Sequence, residues 1–432
     1  MDWNELYNLG LGLFEKATAF FDEALEMKPD PQACYDRGVA LGNSGRWEEA
    51  IACYDKTLAI KPDFHLAWNN RGNAMNNLGL FEEALASCDK ALKIKPGFHL
   101  ASYNRGVALD NLGRFEEAIA SCDKALEIRP DFHEAWYNRG LALGNLGRFE
   151  EAVASYDKAL KIKPDFHEAW LNRGFALGNL GLFEEAVASY DKALKIKRYS
   201  HEAWYNRGVT LSNLGRFEEA IASYDKTLEI KPDLHEAWYN RGVALGNLGR
   251  FEEAIADYDK ALEFKPDLHE AWNNRGVALG NLGRWEDAIT SYDKALEFKP
   301  DLHEAWNNRG VALGNLGRWE EAITSYDKAL EIKPDYHEAW YNRGNALASL
   351  GRLEEALASY DKALEFKPDL HAAFYNKACC YGLQSQIDPA IQNLQQAINL
   401  NPDTYRELAK TDSGFDSIRS HTRFQALIQG HN

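Results

Sequence analysis

The chain of 432 residues carries 66 acidic against 49 basic side chains, a net charge of −17. That charge argues against nucleic acid or an anionic membrane as the main partner, because binding phosphates requires a basic surface. The six cysteines form neither a disulfide framework nor a CxxC metal site, and free thiols suit a reducing compartment. The N-terminus lacks the basic start of a secretory signal, and no apolar run approaches the ~20 residues that span a bilayer. We expect a soluble, cytoplasmic protein.

A strict period of 34 residues organises the chain. Residues 11–30 match the second half of the repeat, and residues 1–30 are predicted to form an N-terminal partial repeat or cap. Residues 31–404 hold eleven units without insertion or deletion. Residues 405–432 leave the pattern and predict a C-terminal capping helix and tail. Length alone would suggest several globular domains. A period this regular instead indicates one elongated array of repeats.

Each unit is predicted to form two helices, and the unit at 235–268 is representative. Positions within a unit are numbered from 1 to 34. Asp233 and Glu236 make a D-x-x-E pattern, which predicts a capping box at the start of the first helix. Gly249 is placed to end that helix as a C-terminal cap, and Pro266 prevents the second helix from continuing. One such pair cannot bury its apolar face alone, whereas a stack of pairs can.

The repeated residues resemble those of the tetratricopeptide repeat. In the representative unit they are Trp238, Gly242, Leu245, Phe251, Ala254, Tyr258, Ala261 and Pro266. The resemblance covers residues 31–404 and implies an all-α fold: an α-solenoid, right-handed superhelix of helix-turn-helix repeats, with first helices lining the inner groove. The chain departs from the family at position 7, arginine in ten units, and at position 12, usually glycine. Arg198 replaces a proline, so a different bend is predicted at that junction.

A second stripe of residues runs along the first helix, opposite its apolar side. In the representative unit the stripe consists of Glu236, Asn240, Val243 and Asn247. Because these residues do not belong to the predicted core, they are expected to face solvent or a ligand. They are therefore the candidates for partner contact.

Asparagine occupies position 6 in ten consecutive units, from Asn70 to Asn376. An amide has two donors and an acceptor, so it can hydrogen-bond a peptide bond from both sides. The resemblance to asparagine-lined grooves in the family implies capture of a peptide backbone. The alternative is a tolerated polar residue copied with each duplication. The candidate contacts are Asn104, Asn138, Asn172, Asn206, Asn240, Asn274, Asn308 and Asn342, with the flanking position-5 tyrosines Tyr137, Tyr205 and Tyr239.

Two further positions have open interpretations. Glycine at position 12 costs about 1 kcal/mol against alanine inside a helix, so its repetition indicates a need for space. That space would serve a neighbouring helix, the interpretation we favour, or a ligand. Arginine at position 7 recurs with aspartate at position 25, which predicts an ion pair inside the stack, with Arg241 near Asp225 or Asp259. The alternative is a row of arginines that binds phosphate or carboxylate groups.

No pattern of residues predicts catalysis. Histidine recurs at position 1, but helix layers lie about 10 Å apart whereas zinc ligands approach to about 2 Å. These histidines are therefore predicted to be helix-start residues. The chain contains neither a phosphate-binding GxxxxGK[ST] loop nor a GxSxG elbow. We predict no catalytic or metal site and no cofactor.

The sequence thus predicts a non-enzymatic protein–protein interaction scaffold that binds an extended peptide or partner helix in its concave groove. Glutamates at position 2, such as Glu236, make the groove acidic and favour a neutral or basic partner. They stand where the family's carboxylate clamp has basic residues, which argues against chaperone C-terminal tails. Two alternatives are the targeting or regulatory arm of an enzyme complex, for example one associated with a glycosyltransferase, and a structural spacer without a groove ligand. The oligomeric state is left open.

Overall fold

The computed structural model of the protein describes residues 30–430. The partial repeat predicted for residues 1–30 therefore lies outside the described residues, apart from Asp30. All regular elements of the described part are helical, with 24 α-helices and one short 3-10 helix. The chain divides after Arg216 into two compact units, and each unit is described separately.

The helices follow the predicted period, with 13 residues in a typical first helix and 14 in a typical second helix. Those of the first unit are α1 (Pro31–Asn43), α2 (Trp47–Ile60), α3 (His65–Asn77), α4 (Phe81–Ile94), α5 (His99–Asn111), α6 (Phe115–Ile128), α7 (His133–Asn145), α8 (Phe149–Ile162), α9 (His167–Asn179), α10 (Phe183–Ile196) and α11 (His201–Asn213). Those of the second are α12 (Phe217–Ile230), α13 (His235–Asn247), α14 (Phe251–Phe264), α15 (His269–Asn281), α16 (Trp285–Phe298), α17 (His303–Asn315), α18 (Trp319–Ile332), α19 (His337–Ser349), α20 (Leu353–Phe366), α21 (His371–Leu383), α22 (Ile387–Leu400), α23 (Pro402–Thr411) and α24 (Thr422–Gln429). The prediction of an all-α fold built from paired helices is confirmed.

Helix ends agree with the sequence prediction at the C-terminus and disagree at the N-terminus. Gly249 follows α13 with φ of 73°, the left-handed conformation that glycine adopts without strain. The predicted capping box is wrong, because the N-cap of α13 is Leu234 and no side chain bonds there. Asp233 lies one residue too early, and Glu236 instead lies 3.1 Å from the Nδ1 atom of His235.

Close packing of the two helices in a repeat depends on glycine at position 8. A Cβ atom on Gly242 would lie 2.8 Å from the Tyr258 ring, closer than real side chains approach. The tyrosine thereby reaches the interior, where Ala254 and Leu245 are also buried. The aromatic and small residues of the repeat are thus complementary in shape.

First helices of consecutive repeats also contact one another, as α3 does with α5 and α15 with α17. Within each unit they form a continuous surface, which we call the first-helix face. The stripe predicted to meet a partner lies on these helices. The stacking of repeats therefore places equivalent stripe residues side by side.

The junction at Arg198 keeps the hydrogen bond of the proline-containing junctions. The indole Nε1 of Trp204 donates to the Arg198 carbonyl oxygen at 3.0 Å. The corresponding bond from Trp238 to the Pro232 carbonyl oxygen is 2.8 Å. Ser200 caps α11 by accepting from the Ala203 amide at 3.3 Å. The different bend predicted from the loss of proline is not seen in this contact.

The segment after Asn401 packs on the last repeat of the second unit. It comprises α23, a 3-10 helix at Ser413–Phe415 and α24. Phe415 and Phe424 are completely buried, in an apolar cluster shared with α21 and α22. None of the helices in residues 30–430 is long and apolar enough to cross a membrane.

Candidate functional site

The predicted stripe lies at the surface of the first-helix face. In α13 Glu236 and Asn247 are exposed, while Asn240 and Val243 are half-buried. The side-chain amide of Asn247 donates to the Val243 carbonyl oxygen at 2.9 Å. This bond within the helix holds the Asn247 amide against the backbone, next to the Val243 side chain.

The position-6 asparagines link consecutive repeats, a role that the sequence analysis did not foresee. The Nδ2 atom of Asn172 donates to the Tyr137 hydroxyl at 2.9 Å. Asn274 donates in the same way to the Tyr239 hydroxyl at 3.1 Å. Burial and the nearby Glu270 raise the pKa of Tyr239, and this hydrogen bond opposes them. Each such asparagine therefore uses one of its two amide hydrogens inside the protein.

Where position 5 is asparagine, an amide pair takes the place of the tyrosine contact. Asn104 donates to the Asn69 side-chain oxygen at 3.0 Å, and Asn342 donates to that of Asn307 at 3.1 Å. Asn308 instead accepts from Asn307 at 3.5 Å. The ladder is thus partly a structural feature of the stack.

The other predicted candidates are also half-buried, namely Asn138, Asn206, Asn240 and Tyr205. A hydrogen bond with Asn138 lowers the pKa of Tyr103, against the larger raising effect of burial. Asn206 lines a depression on the first-helix face. The candidates therefore occupy equivalent places in the stack but do not all have the same hydrogen-bonding capacity.

Equivalent depressions occur between neighbouring first helices in both units. In the second unit a depression of about 500 Å³ is lined by Val243, Gly246, Asn247, Phe251, Tyr258, Asn274, Val277, Ala278 and Asn281. In the first unit the depression at the same repeat positions has a volume of about 220 Å³ and is lined by Phe175, Gly178, Asn179, Phe183, Tyr190, Asn206, Val209, Thr210 and Asn213. Three of the predicted candidates, Val243, Asn247 and Asn274, line the depression of the second unit.

Glycine at position 12 opens the depression where position 17 is phenylalanine. A Cβ atom on Gly178 would meet nothing within 4 Å, and on Gly246 it would meet only the Tyr258 hydroxyl at 3.7 Å. On Gly280 it would approach the Trp285 ring to 3.3 Å. The favoured interpretation, space for a neighbouring element, is therefore correct at Gly280. It is wrong at Gly178, where the space is open, whereas a Cβ atom on Gly246 would contact the Tyr258 hydroxyl alone.

The predicted ion pair inside the stack is confirmed. The position-7 arginine bonds the position-25 aspartate of the preceding repeat, as Arg275 does Asp259 at 2.7 Å. Its Nη1 atom also donates to the Ser291 hydroxyl at 2.7 Å. An arginine that is paired in this way is not available to bind a ligand's phosphate or carboxylate group, which was the alternative interpretation. Because the bond crosses to the next repeat, Lys377 keeps a partner in Asp361 although its own repeat has lost the aspartate.

Arg241 has two carboxylate partners. It bonds Asp225 of the preceding repeat, as predicted, and also Asp257 at 2.7 Å. Asp257 replaces the serine found at this position in eight of the other ten repeats and is buried. Burial raises the pKa of Asp257, and its bonds to Arg241 act in the opposite direction.

The histidines and cysteines have structural surroundings. His133 lies at the start of α7 with its Nδ1 atom 3.0 Å from Glu134. Cys88 and Cys122 are buried core residues, and burial raises the pKa of each thiol to about 12. Residues 30–430 contain no group of three or more metal-ligating side chains placed to hold an ion.

These features define a class of protein, a helical solenoid whose candidate contacts lie on the first-helix face. Family models of the tetratricopeptide repeat match residues 35–98, 99–132, 133–166, 167–199, 201–234, 235–268, 273–337, 307–371 and 371–404. The chain belongs to the tetratricopeptide repeat family. Membership in this family supports a role as a protein-interaction scaffold.

Solved structures provide further similarities. The YrrB protein, described as a tetratricopeptide repeat protein with an unusual peptide-binding site, is 27% identical, covers 44% of this chain and 98% of its own, and has a TM-score of 0.40. Yeast Tom70 is 17% identical over 92% of this chain and 99% of its own, with a TM-score of 0.39. A chain of the APC/C hetero-tetramer Cut9–Hcn1 is 14% identical over 98% of this chain and 94% of its own, with a TM-score of 0.45. No curated protein matches the chain.

Proposed function

We propose that this scaffold binds an extended peptide or a partner helix along its first-helix face. The observation that carries the proposal is the recurrence of surface depressions between first helices at the same repeat positions. Apolar walls from residues such as Val243 and Val277 accompany polar groups such as Asn274. This combination suits side chains of a peptide together with its main chain.

The charge of the face favours a neutral or basic partner. Glutamates at position 2 begin consecutive first helices, and Glu236, Glu270 and Glu304 are exposed there. Each lies within hydrogen-bond range of the adjacent histidine side chain, as Glu270 does of His269 at 3.2 Å. Such exposed carboxylates attract cationic partners and repel anionic ones. Together with the net charge of −17, they disfavour nucleic acid as the ligand.

The proposal assigns no catalytic step to the chain, and it places the protein in the cytoplasm. All six cysteines are free thiols, as a reducing compartment favours. Binding, rather than chemistry, is the activity to be measured. A role as the targeting arm of an enzyme would use the same face and would be detected by the same measurement.

Selection of peptides tests the proposal. Random 12-residue peptides displayed on phage would be selected on the immobilised full chain, and the recovered peptides would be titrated in solution by fluorescence anisotropy. We expect Gly246→Leu, whose Cβ atom would contact only the Tyr258 hydroxyl and whose side chain would occupy the larger depression, to weaken binding of peptides at that site at least fivefold. Lys260→Ala on a second helix, where the side chain is half exposed, is the control and should bind as the wild type does. Failure to recover any peptide would overturn the proposal.

A further inference from the structure

The repeat at 167–200 and its successor depart from the pattern at three neighbouring positions. Leu171 stands where ten other repeats have tyrosine or asparagine, and Phe175 is the one phenylalanine at position 9. Thr210 replaces the alanine that is usual at position 10. Phe175 and Thr210 line the depression of the first unit. Three changes around one depression give that place a chemistry of its own.

The change at Leu171 releases the amide of Asn206. In the preceding pair of repeats Asn172 donates to the Tyr137 hydroxyl at 2.9 Å. Leu171 has neither a hydroxyl nor an amide, so the corresponding bond to Asn206 cannot form. The side chain of Asn206 lines the depression with its two donors and its acceptor directed to no position-5 partner. This is the capacity that hydrogen-bonding a peptide unit requires.

The change at Phe175 supplies an exposed aromatic wall. Its side chain is 53% exposed, the largest exposure of an apolar side chain on a described first helix apart from Leu383. Phe183 also lines the depression, and Gly178 leaves open space beside it. A volume of about 220 Å³ is smaller than the ~300–1,000 Å³ of small-molecule sites. The depression therefore suits one side chain of a larger ligand.

Thr210 makes the depression polar at one point, and the carboxylate of Glu202 lies near Tyr190, which also lines it. The Thr210 hydroxyl donates to the Asn206 carbonyl oxygen at 2.8 Å and lies beside the Tyr190 phenol, whose pKa burial raises. The negative charge of Glu202 also raises the pKa of the Tyr190 phenol. A ligand with a cationic group next to its apolar one matches this arrangement.

We propose that the depression between α9 and α11, here called the Phe175 pocket, accepts one aromatic side chain of an extended, neutral or basic peptide. Asn206 hydrogen-bonds the peptide main chain next to that side chain. Aromatic rings pack against Phe175 and Phe183 in edge-to-face or offset geometry, which favours phenylalanine, tyrosine or tryptophan over an aliphatic group. This inference rests on the proposed function and specifies what one part of the face recognises.

The test restores the missing inter-repeat bond. Leu171→Tyr places a hydroxyl where Tyr137 has one, so that Asn206 regains a partner inside the protein. Peptides recovered by phage display on the wild-type chain would be titrated with Leu171→Tyr and Asn206→Ala. We expect those peptides to contain an aromatic residue next to lysine or arginine and to bind both variants at least fivefold more weakly. Replacing the aromatic residue of the peptide with alanine should have a similar effect.

Lys192→Ala is the control, because that side chain is exposed on α10, the second helix of the same repeat. It should bind the recovered peptides within twofold of the wild type, and circular dichroism would establish that each variant is folded. Equal binding by wild type, Leu171→Tyr and Asn206→Ala would overturn the Phe175 pocket and leave the proposed function standing. Recovery of no peptide at all would overturn both.

Discussion

Glycine has two different roles within one helix, and substitution by alanine separates them. In α9 a Cβ atom on Gly174 would lie 2.6 Å from the Tyr190 ring, whereas one on Gly178 would meet nothing within 4 Å. Gly178→Ala should therefore stabilise the protein by about 0.5–1 kcal/mol through helix propensity. Gly174→Ala should destabilise it by about 1–3 kcal/mol, because the tyrosine must move. Urea unfolding followed by circular dichroism measures both, and a loss of stability in Gly178→Ala would contradict the open space.

The asparagine ladder can be divided experimentally into members with and without a structural bond. Asn274→Ala removes the 3.1 Å hydrogen bond to the Tyr239 hydroxyl and should lower the free energy of unfolding by about 1 kcal/mol. Asn206→Ala has no such bond to lose, since Leu171 precedes it, and should change the stability by less than about 0.5 kcal/mol. The same urea titration compares the two variants. Equal losses would show that Asn206 has a structural partner after all.

Sequence reasoning found the position of these asparagines but not their partners. The spacing placed Asn240 on the side of α13 opposite Trp238 and Asn274 at the equivalent place on α15, and the structure has both half-buried on the first-helix face. The bond from Asn274 to Tyr239 crosses to the preceding repeat. It depends on the distance and register of two packed helices, which the sequence of a single repeat does not specify. The sequence alone also leaves open whether the space at Gly246 serves a neighbouring helix or a ligand, because that depends on the same packing.

At the scale of helices, the joint between repeats contains an arginine with several partners. Arg309 bonds Asp293 of the preceding repeat at 2.6 Å and the Ser325 hydroxyl at 2.8 Å, and it lies over the Trp306 ring. Arg309→Ala should destabilise the protein by about 1–2 kcal/mol, because packing and two hydrogen bonds are lost. Asp293→Ala should cost less than about 1 kcal/mol, since that carboxylate is 52% exposed and screened by solvent.

A double-mutant cycle on this joint provides the measurement. The coupling between Arg309→Ala and Asp293→Ala should be about 0.5–1 kcal/mol in dilute buffer and should decrease in 1 M salt because ions screen the pair. Arg318→Ala, which removes a surface pair with Glu321 within one helix start, serves as the control and should change stability little. Zero coupling at low salt would show that the arginine acts through packing alone.

Element boundaries were predicted well wherever the backbone itself imposes them. Gly249 has the left-handed φ of 73° that only glycine adopts without strain, and α14 ends before Pro266. The capping box at the helix starts was predicted incorrectly, because it requires one particular register. The N-cap at Leu234 lies one residue after the aspartate that was expected to cap. A side-chain bond is therefore less predictable from spacing than a backbone constraint.

At the scale of the molecule, we propose that residues 402–430 cover the last repeat. Ile391, Leu394 and Ile398 of α22 lie in the apolar cluster that α23 and α24 complete. In earlier repeats the following first helix covers the equivalent surface. The backbone of the C-terminal segment packs directly on α21, because a Cβ atom on Gly382 would lie 2.3 Å from the Gly414 carbonyl oxygen.

Two shortened chains should behave differently if repeats interact mainly with their neighbours. Deleting 269–302 joins Leu268 to His303 and recreates the junction already present at Leu302, with Asp259 replacing Asp293 as the partner of Arg309. That chain should unfold cooperatively, remain monodisperse and lose only a few degrees in melting temperature, because no apolar surface is uncovered. Ending the chain at residue 401 should instead cost several kcal/mol, since each large buried apolar side chain contributes about 1.5–3 kcal/mol.

Light scattering after size-exclusion chromatography and thermal melts distinguish the two shortened chains. Loss of Phe415 and Phe424, both fully buried, exposes α22, so the chain ending at 401 should self-associate while the chain lacking 269–302 does not. Replacing Ile398 in the truncated chain with a charged residue should reduce the association, because that side chain lies in the apolar cluster that the missing segment completes. A monomeric truncated chain with an unchanged melting temperature would contradict the covering role, and a deleted chain that fails to fold would contradict interaction between neighbours alone.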